Sequence, residues 1–159
     1  MSLEIGQKIP ALELHVKDAE GIDVFDTGTA LAGKKIIIFS VPGAFTPTCS
    51  AKHVPSYLAN YDALKAAGFD EIICMAMNDV HVMYAWGQSQ DVGDKITMLA
   101  DREGQLSDAL GLSVHMGPVL GTRASRSAFI VEDGVITKAF LEEPAVYEVS
   151  SAEHVLANL

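Results

Sequence analysis

The sequence predicts a single α/β domain in which a central mixed β-sheet is flanked by helices on both faces. Two apolar runs, KIIIFSV (35–41) and EIICMAM (71–77), are continuous and rich in β-branched residues, which is typical of strands buried on both faces. A helical pattern lies between them, as in a parallel strand–helix–strand unit. Near the C-terminal end, Asp133-Gly134 separates two further strand-like runs and predicts an antiparallel hairpin.

The helix between these two strands is expected to run from Pro47 to Ala67 and to end at Gly68, a residue suited to a C-terminal cap. Pro55 lies inside this segment and should kink it. The stripe that should face the sheet has apolar residues at three- and four-residue spacing: Val54, Tyr57, Leu58, Tyr61 and Leu64.

Shorter elements are predicted in the second half of the chain. Asn78 or Asp79 can cap a helix that carries Val82, Met83 and Trp86 on one side. The remaining elements are a strand at 96–101, a helix from about Glu103 to Leu110 ending at Gly111, hairpin strands at 127–132 and 135–141, and a last helix opened by the capping box Ser150-Ser151-Ala152-Glu153.

Length and composition limit the classes of function that the chain can have. The 159 residues suit one domain over 1–159, and 49% of them are hydrophobic, which favours a globular chain. The net charge of −10 argues against a nucleic-acid partner, which needs a basic face. No secretory signal is visible, and no apolar run approaches the roughly 18 residues of a membrane span. A cytoplasmic protein without membrane contact is therefore expected.

The two cysteines, Cys49 and Cys74, do not form a metal-binding pattern, because no C-x-x-C is present and the five histidines are scattered. The glycines follow no phosphate-loop or dinucleotide pattern. No metal or other cofactor is therefore expected, and in a cytosolic chain the cysteines should be reduced and reactive or simply buried.

Cys49 lies at a predicted helix start. Thr46 is a suitable N-cap whose hydroxyl can accept from first-turn amides, Pro47 occupies N1, Thr48 N2 and Cys49 N3. The thiolate is the nucleophilic form of cysteine, and helix N-termini or nearby cations can lower a thiol pKa from about 8.5 to roughly 3.5–7.5. The position therefore favours a reactive cysteine.

The helical periodicity also bears on the surroundings of Cys49. At about 100° per residue, Cys49 falls with His53, Ser56 and Asn60, away from the apolar stripe. The alternative is a small buried cysteine with a packing role. His53 is within reach of Cys49 along the helix, so a Cys–His pair is a further alternative.

Pro42, Thr46 and Cys49 form the pattern P-x-x-x-T-x-x-C. With this pattern the chain resembles the peroxiredoxins, and PGAFTPTCSAKHVP is similar to their type II group, named for peroxiredoxin five. The similarity covers almost the whole chain, through IGQKIPALEL, MNDVHVMYAWG, LADREG, GTRASRSAFIVEDG and VSSAEHVLANL.

The resemblance implies a thioredoxin-like fold and a peroxidase that reduces hydrogen peroxide and organic hydroperoxides without a metal or prosthetic group. Cys49 would be the peroxidatic cysteine and would pass through a sulfenic acid. Thr46 would hold the peroxide together with the backbone N–H groups of Thr48 and Cys49. Pro42 would shield the sulfur from solvent.

The resemblance also implies an arginine at the start of a later strand, which favours the thiolate and stabilises charge on the peroxide oxygens. Arg126 matches best, although Ser127 stands where many relatives have an aromatic residue, and Arg123 is a possible auxiliary residue. The resemblance assigns no catalytic role to His53.

Cys74 lies within a strand-like run, which favours a buried core thiol. The alternative is a resolving cysteine that condenses with the Cys49 sulfenate, although a disulfide requires the two Cα atoms to lie within about 7 Å. Otherwise glutathione with glutaredoxin, or thioredoxin, would act as the reductant.

Two questions stay open from the sequence. Met83, Tyr84 and Trp86 form an apolar set that either packs in the core or, with Phe45, contributes to a homodimer interface of the kind the family builds. Besides a peroxidase, the chain could be a redox sensor that uses the Cys49 sulfenate as a signal, or a cysteine hydrolase that uses Cys49 and His53. A thioredoxin-type oxidoreductase is disfavoured because Thr46 replaces its first cysteine.

Overall fold

The computed structural model describes residues 3–159, and its organising feature is a mixed β-sheet. The strands are β1 (Glu13–Lys17), β2 (Ile22–Asp26), β3 (Lys35–Ser40), β4 (Glu71–Ala76), β5 (Thr97–Ala100), β6 (Ser113–His115), β7 (Thr122–Ala124), β8 (Ser127–Glu132) and β9 (Val135–Leu141). The helices are α1 (Thr27–Ala30), α2 (Val54–Ala59), α3 (Tyr61–Ala66), α4 (Val80–Ser89), α5 (Gln105–Ala109), α6 (Gly117–Leu120) and α7 (Ala152–Ala157). A π-helical turn, Cys49–His53, directly precedes α2.

The main sheet has the strand order β2-β1-β5-β4-β3-β8-β9, and β6 pairs with β7 in a separate hairpin. Strand β3 pairs in parallel with β4 and antiparallel with β8, which makes the sheet mixed as predicted. Both β3 and β4 lie in the middle of the sheet, and this position explains why their sequences are apolar throughout.

The two faces of the sheet carry separate cores. Ile37 and Phe39 of β3 point to the face covered by α2, α4 and α7, whose buried residues include Tyr57 and Trp86. The intervening Ile38 points to the other face, which is covered by α5. The prediction of helices on both faces is therefore confirmed.

The predicted hairpin between β8 and β9 is also present, with Asp133 at φ 49° and Gly134 at φ 78°, the two positive angles that a tight two-residue turn requires. The predicted capping box of the last helix is wrong by one residue. Ser151 is the N-cap of α7, and its hydroxyl accepts from the amide of His154, whereas the Ser150 hydroxyl donates to Glu142.

The helix predicted from Pro47 to Ala67 is present but interrupted. Pro55 has no amide hydrogen, and the chain accommodates it with the preceding π-helical turn, in which the Val54 amide donates to the carbonyl of Cys49. A second break at Asn60 separates α2 from α3.

Asp79 caps α4 through the amide of Val82, while Asn78 accepts from the amide of Ala44 and so holds the loop before Cys49. Across residues 3–159, none of the helices has the length and apolar character needed to cross a bilayer.

Candidate active site

Cys49 begins the π-helical turn and is fully buried, in the same core cluster as Phe39 and Val54. The expectation that Cys49, His53 and Ser56 face away from the core is therefore wrong, since all three are buried. The 100° step of an α-helix does not hold through the π-helical turn, which contains an additional residue and rotates Cys49 inward. The sulfur is enclosed by protein, where hydrogen bonds to it are strong.

The hydroxyl of Thr46 lies 2.8 Å from the sulfur of Cys49 and 2.7 Å from the carbonyl oxygen of Gly43, and it can donate to either. The predicted role of this hydroxyl, as an acceptor from the first-turn amides, is replaced by donation toward the sulfur. Thr46 is therefore a polar neighbour of the reactive atom, as the family pattern implies.

Arg126 is the second donor to the sulfur. Its Nη2 lies 3.1 Å from Sγ of Cys49, and its Nη1 lies 2.8 Å from Nδ1 of His53. Arg126 immediately precedes β8, where the hydroxyl of Ser127 pairs with that of Ser40 at 2.6 Å. Ser127 thus forms a buried polar pair at the position where many relatives have an aromatic residue. The pairing of β8 with β3 brings the preceding residue, Arg126, next to the sulfur of Cys49.

Arg123 contacts the neighbouring loop instead of the sulfur. Its Nη1 donates to the carbonyl of Pro42 across 3.4 Å, and its Nε donates to the carbonyl of Leu120 across 2.9 Å. A Cβ at Gly43 would lie only 2.9 Å from Nη1 of Arg123, so the glycine leaves room for this guanidinium. Arg123 therefore connects the β6–β7 hairpin to the loop that carries Pro42.

His53 uses both ring nitrogens in fixed contacts. The carbonyl of Ser150 can only accept, so Nε2 carries the hydrogen and donates to it across 3.1 Å. Nδ1 then accepts from Arg126. Burial, and secondarily the charge of Arg126, lower the pKa of His53 to about 3, so the ring is neutral. Neither nitrogen is left to take a proton from Cys49, and this argues against the cysteine hydrolase.

Three residues of the C-terminal loop, Glu142, Tyr147 and Ser150, complete the surroundings, and the sequence analysis placed none of them at the site. Tyr147 packs its ring edge-on against His53 with centroids 5.2 Å apart, and the Arg126 guanidinium lies 6.0 Å from the Tyr147 ring centroid. The carbonyl of Ser150 also accepts from the hydroxyl of Tyr57, and the carboxylate of Glu142 accepts from Ser150. The contacts of Ser150 with His53 and Tyr57 join residues more than 90 positions apart, and no local sequence pattern predicts such contacts.

Cys74 is fully buried in the middle of β4, where it is paired with Phe39 and Met98. Both cysteines are free. Burial, with the nearby Cys49 as the second cause, raises the pKa of Cys74 well above its ordinary value. Cys74 is thus a neutral core thiol in this conformation.

The apolar set around α4 divides between core and surface. Met83 and Trp86 are fully buried, which makes them core residues and excludes them from a surface interface in this fold. Phe45, in contrast, is 55% exposed and adopts φ 63°, a strained backbone angle for a residue with a side chain.

Comparisons with known proteins agree with this geometry. The Redoxin family model matches residues 4–156. Peroxiredoxin-2C of Oryza sativa subsp. japonica is 41% identical over 98% of this chain and 97% of its own length. Chloroplastic peroxiredoxin-2E of Arabidopsis thaliana is 39% identical over 99% of this chain and 70% of its own length.

Among solved structures, reduced Prx3 of Vibrio vulnificus in complex with H2O2 superposes with a TM-score of 0.94 at 41% identity, covering 98% of both chains. The fold is thus the thioredoxin-like fold of these enzymes, as the resemblance implied. From the matched length and these identities, the chain belongs to the Redoxin family and is a peroxiredoxin, a thiol-dependent peroxidase.

Proposed function

We propose that this peroxiredoxin reduces hydrogen peroxide and organic hydroperoxides through a sulfenic acid on Cys49. The observation that carries the proposal is the pair of donors on one sulfur: Thr46 at 2.8 Å and Arg126 at 3.1 Å. Both groups are donors within hydrogen-bonding distance of the sulfur, and both are placed to bind a peroxide oxygen adjacent to it.

In the oxidation step, the Cys49 thiolate attacks one peroxide oxygen, forming the S–O bond as the O–O bond breaks. The sulfur is oxidised to Cys–SOH, and the second oxygen leaves as hydroxide or alkoxide and takes up a proton to become water or an alcohol. Arg126 and Thr46 stabilise the negative charge on the leaving oxygen. First-turn amides, those of Thr48 and Cys49, supply further donors at the helix start, and Pro42 covers the site.

An external thiol is proposed to complete the cycle. It attacks the sulfenate, releases water and forms a mixed disulfide, and a second thiol then reduces this disulfide and regenerates Cys49. The buried, neutral state of Cys74 supports an outside reductant, either glutathione with glutaredoxin or thioredoxin. Two free cysteines also suit a reducing compartment such as the cytoplasm.

We further propose a homodimer formed through the surface around Phe45. The support is apolar exposure close to the site: Phe45 is 55% exposed, and Val119 of α6 is 90% exposed. Arg123 joins the hairpin that contains α6 to the loop that contains Phe45, so the two apolar residues belong to connected segments. A second copy of the chain that covers this surface would also shield the entrance to Cys49.

The test measures the rate of Cys49 oxidation by hydroperoxide in the wild type. It also measures the rate of peroxide consumption with a thiol reductant in the wild type and in Cys49→Ser. Rapid oxidation of Cys49 by hydroperoxide, together with sustained peroxide consumption when a thiol reductant is supplied, supports the proposal. Rapid oxidation without turnover by either thiol system, glutathione with glutaredoxin or thioredoxin, would instead indicate a redox sensor. Peroxide consumption that survives in Cys49→Ser would contradict the proposal.

A further inference from the structure

Glu142 is a buried carboxylate that the peroxidase mechanism above does not use. It follows β9 directly, and only 8% of its surface is exposed. Its oxygens accept from the amides of Glu148, Val149 and Ser150 at 2.8–3.2 Å and from the Ser150 hydroxyl at 2.7 Å. Burial alone would raise the pKa of Glu142, but these hydrogen bonds lower it below the ordinary value, so the group is ionised at neutral pH.

The segment that Glu142 binds, residues 148–150, ends at Ser150, whose carbonyl is a hydrogen-bond acceptor for His53. Glu142 fixes the amide and the hydroxyl of Ser150, and the carbonyl of the same residue accepts from Nε2 of His53 and from the hydroxyl of Tyr57. Ser150 is fully buried, so no solvent replaces this acceptor. The position of the Ser150 carbonyl therefore depends on the carboxylate of Glu142.

The Ser150 carbonyl in turn decides which nitrogen of His53 carries the hydrogen. With the hydrogen on Nε2, Nδ1 presents a lone pair to Nη1 of Arg126 across 2.8 Å. With the hydrogen on Nδ1, two N–H groups would face each other and the guanidinium would be displaced. Because Nη2 of the same guanidinium donates to Cys49, the tautomer of His53 determines the position of Arg126 on the sulfur.

We propose that Glu142 is a positioning residue for Cys49 oxidation, acting through Ser150 and His53 to hold the Arg126 guanidinium against the sulfur. This inference rests on the proposed function of Cys49. The Glu142 backbone amide also donates to the carbonyl of Arg126 across 3.1 Å. Side-chain substitution leaves that contact in place, so a variant isolates the role of the carboxylate.

The test variant is Glu142→Gln, because glutamine has nearly the same shape but only one acceptor oxygen for four donors. The chain offers a matched control in Asp101, which is fully buried and accepts from the amides of Leu106 and Ser107 and from the Ser107 hydroxyl. Asp101→Asn therefore removes a similar buried carboxylate on the other face of the sheet, where Leu106 belongs to the second core.

Two readouts are measured on the reduced, full-length protein. Nitrogen chemical shifts of the His53 ring report its tautomer, and stopped-flow kinetics report the rate of Cys49 oxidation by hydrogen peroxide. In Glu142→Gln we expect loss of the single Nε2–H tautomer and a rate lowered about tenfold, since misplacing a catalytic group by about 1 Å can cost up to roughly 100-fold. In Asp101→Asn we expect the wild-type tautomer and a rate within about twofold of the wild type.

An unchanged tautomer and rate in Glu142→Gln would overturn the inference, as would an equal rate loss in Asp101→Asn. If Glu142→Gln does not fold, Ser150→Ala decides, because it removes the hydroxyl donor but keeps the carbonyl, and it should shift both readouts in the same direction by a smaller factor. The tautomer is read in the reduced protein. It therefore tests Glu142 even if Cys49 of the wild type proves unreactive toward peroxide, a result that would contradict the proposed function alone.

Discussion

The guanidinium of Arg126 donates to the sulfur of Cys49 across 3.1 Å, although 77 positions separate the two residues. The same guanidinium donates to His53 with its other terminal nitrogen. This two-pronged contact matches the planar fork of an arginine and has no equivalent in the single ammonium group of a lysine. The position of the cation is therefore fixed from two sides.

Arg126→Lys should lower the rate of Cys49 oxidation about 100-fold, because a lysine keeps the charge but cannot contact His53 and the sulfur together. Stopped-flow kinetics with hydrogen peroxide measure this rate. Arg123→Lys is the matched comparison, since Arg123 donates to the backbone carbonyls of Leu120 and Pro42 instead of to the sulfur. A smaller loss, below about tenfold, is expected there. Equal losses in the two variants would contradict the assignment of Arg126 as the catalytic arginine.

Thr46→Val should lower the same rate by about 100-fold, because valine preserves the shape of threonine but removes the hydroxyl that lies 2.8 Å from the Cys49 sulfur. Thr46→Ser keeps the hydroxyl and should stay within about tenfold of the wild type. If Thr46→Val keeps the wild-type rate while Thr46→Ser loses it, the methyl group of Thr46 matters and the hydroxyl does not.

The sequence was sufficient for β3, β4, β5, β8 and β9 and insufficient for the end of the main sheet formed by β1 and β2. The strands β3 and β4 are buried on both faces and read as continuous apolar runs, whereas β1 (ELHVK) and β2 (IDVFD) carry polar residues on exposed sides and escaped prediction. The strands β6 and β7 have three residues each, too few for a periodic signal.

The contacts of the candidate site also fall into two groups, those between residues close in the sequence and those between residues far apart in it. Thr46 and Cys49 lie three positions apart, so their proximity follows from the helix start. The contact of His53 with Ser150 spans 97 positions and depends on how the C-terminal loop folds back. The inward rotation of Cys49 escaped prediction because it follows from the π-helical turn, which no helical periodicity encodes.

Cys74→Ala should retain peroxide turnover with an external thiol, because Cys74 is a buried, neutral thiol within β4. One equivalent of hydroperoxide added to the wild type should produce oxidised Cys49 and reduced Cys74. Mass spectrometry of the trapped product measures both. A bridge between Cys49 and Cys74 in most of the wild-type molecules would show instead that Cys74 is the resolving cysteine.

Phe45→Asp should convert the proposed homodimer to a monomer, because it places a charge in the apolar surface next to the site. Sedimentation equilibrium measures the mass directly. Val24→Asp is the control, since Val24 is 57% exposed, close to the 55% of Phe45, but lies on the edge strand β2. Dissociation by Val24→Asp alone would move the interface to the sheet edge, and a monomeric wild type would remove the dimer altogether.

The neutral, buried state of His53 should make the folded protein less stable in mild acid. Its pKa is about 3 in the folded protein and near the ordinary histidine value of 6.5 in the unfolded chain, so unfolding takes up a proton throughout the interval between these values. Stability attributable to His53 is therefore complete above about pH 7 and is lost as the pH falls through 6.5 toward 3.

This effect amounts to about 2 kcal/mol of unfolding free energy between pH 7 and pH 5, a range in which Glu142 stays ionised in the folded protein. Urea unfolding at each pH measures it. His53→Gln should flatten the dependence even though the variant is less stable at every pH. His81→Gln removes an exposed histidine from α4 and should keep the wild-type slope. If the slope of His53→Gln equals that of the wild type, His53 is already charged in the folded protein, and its Nδ1 is not the acceptor for Arg126.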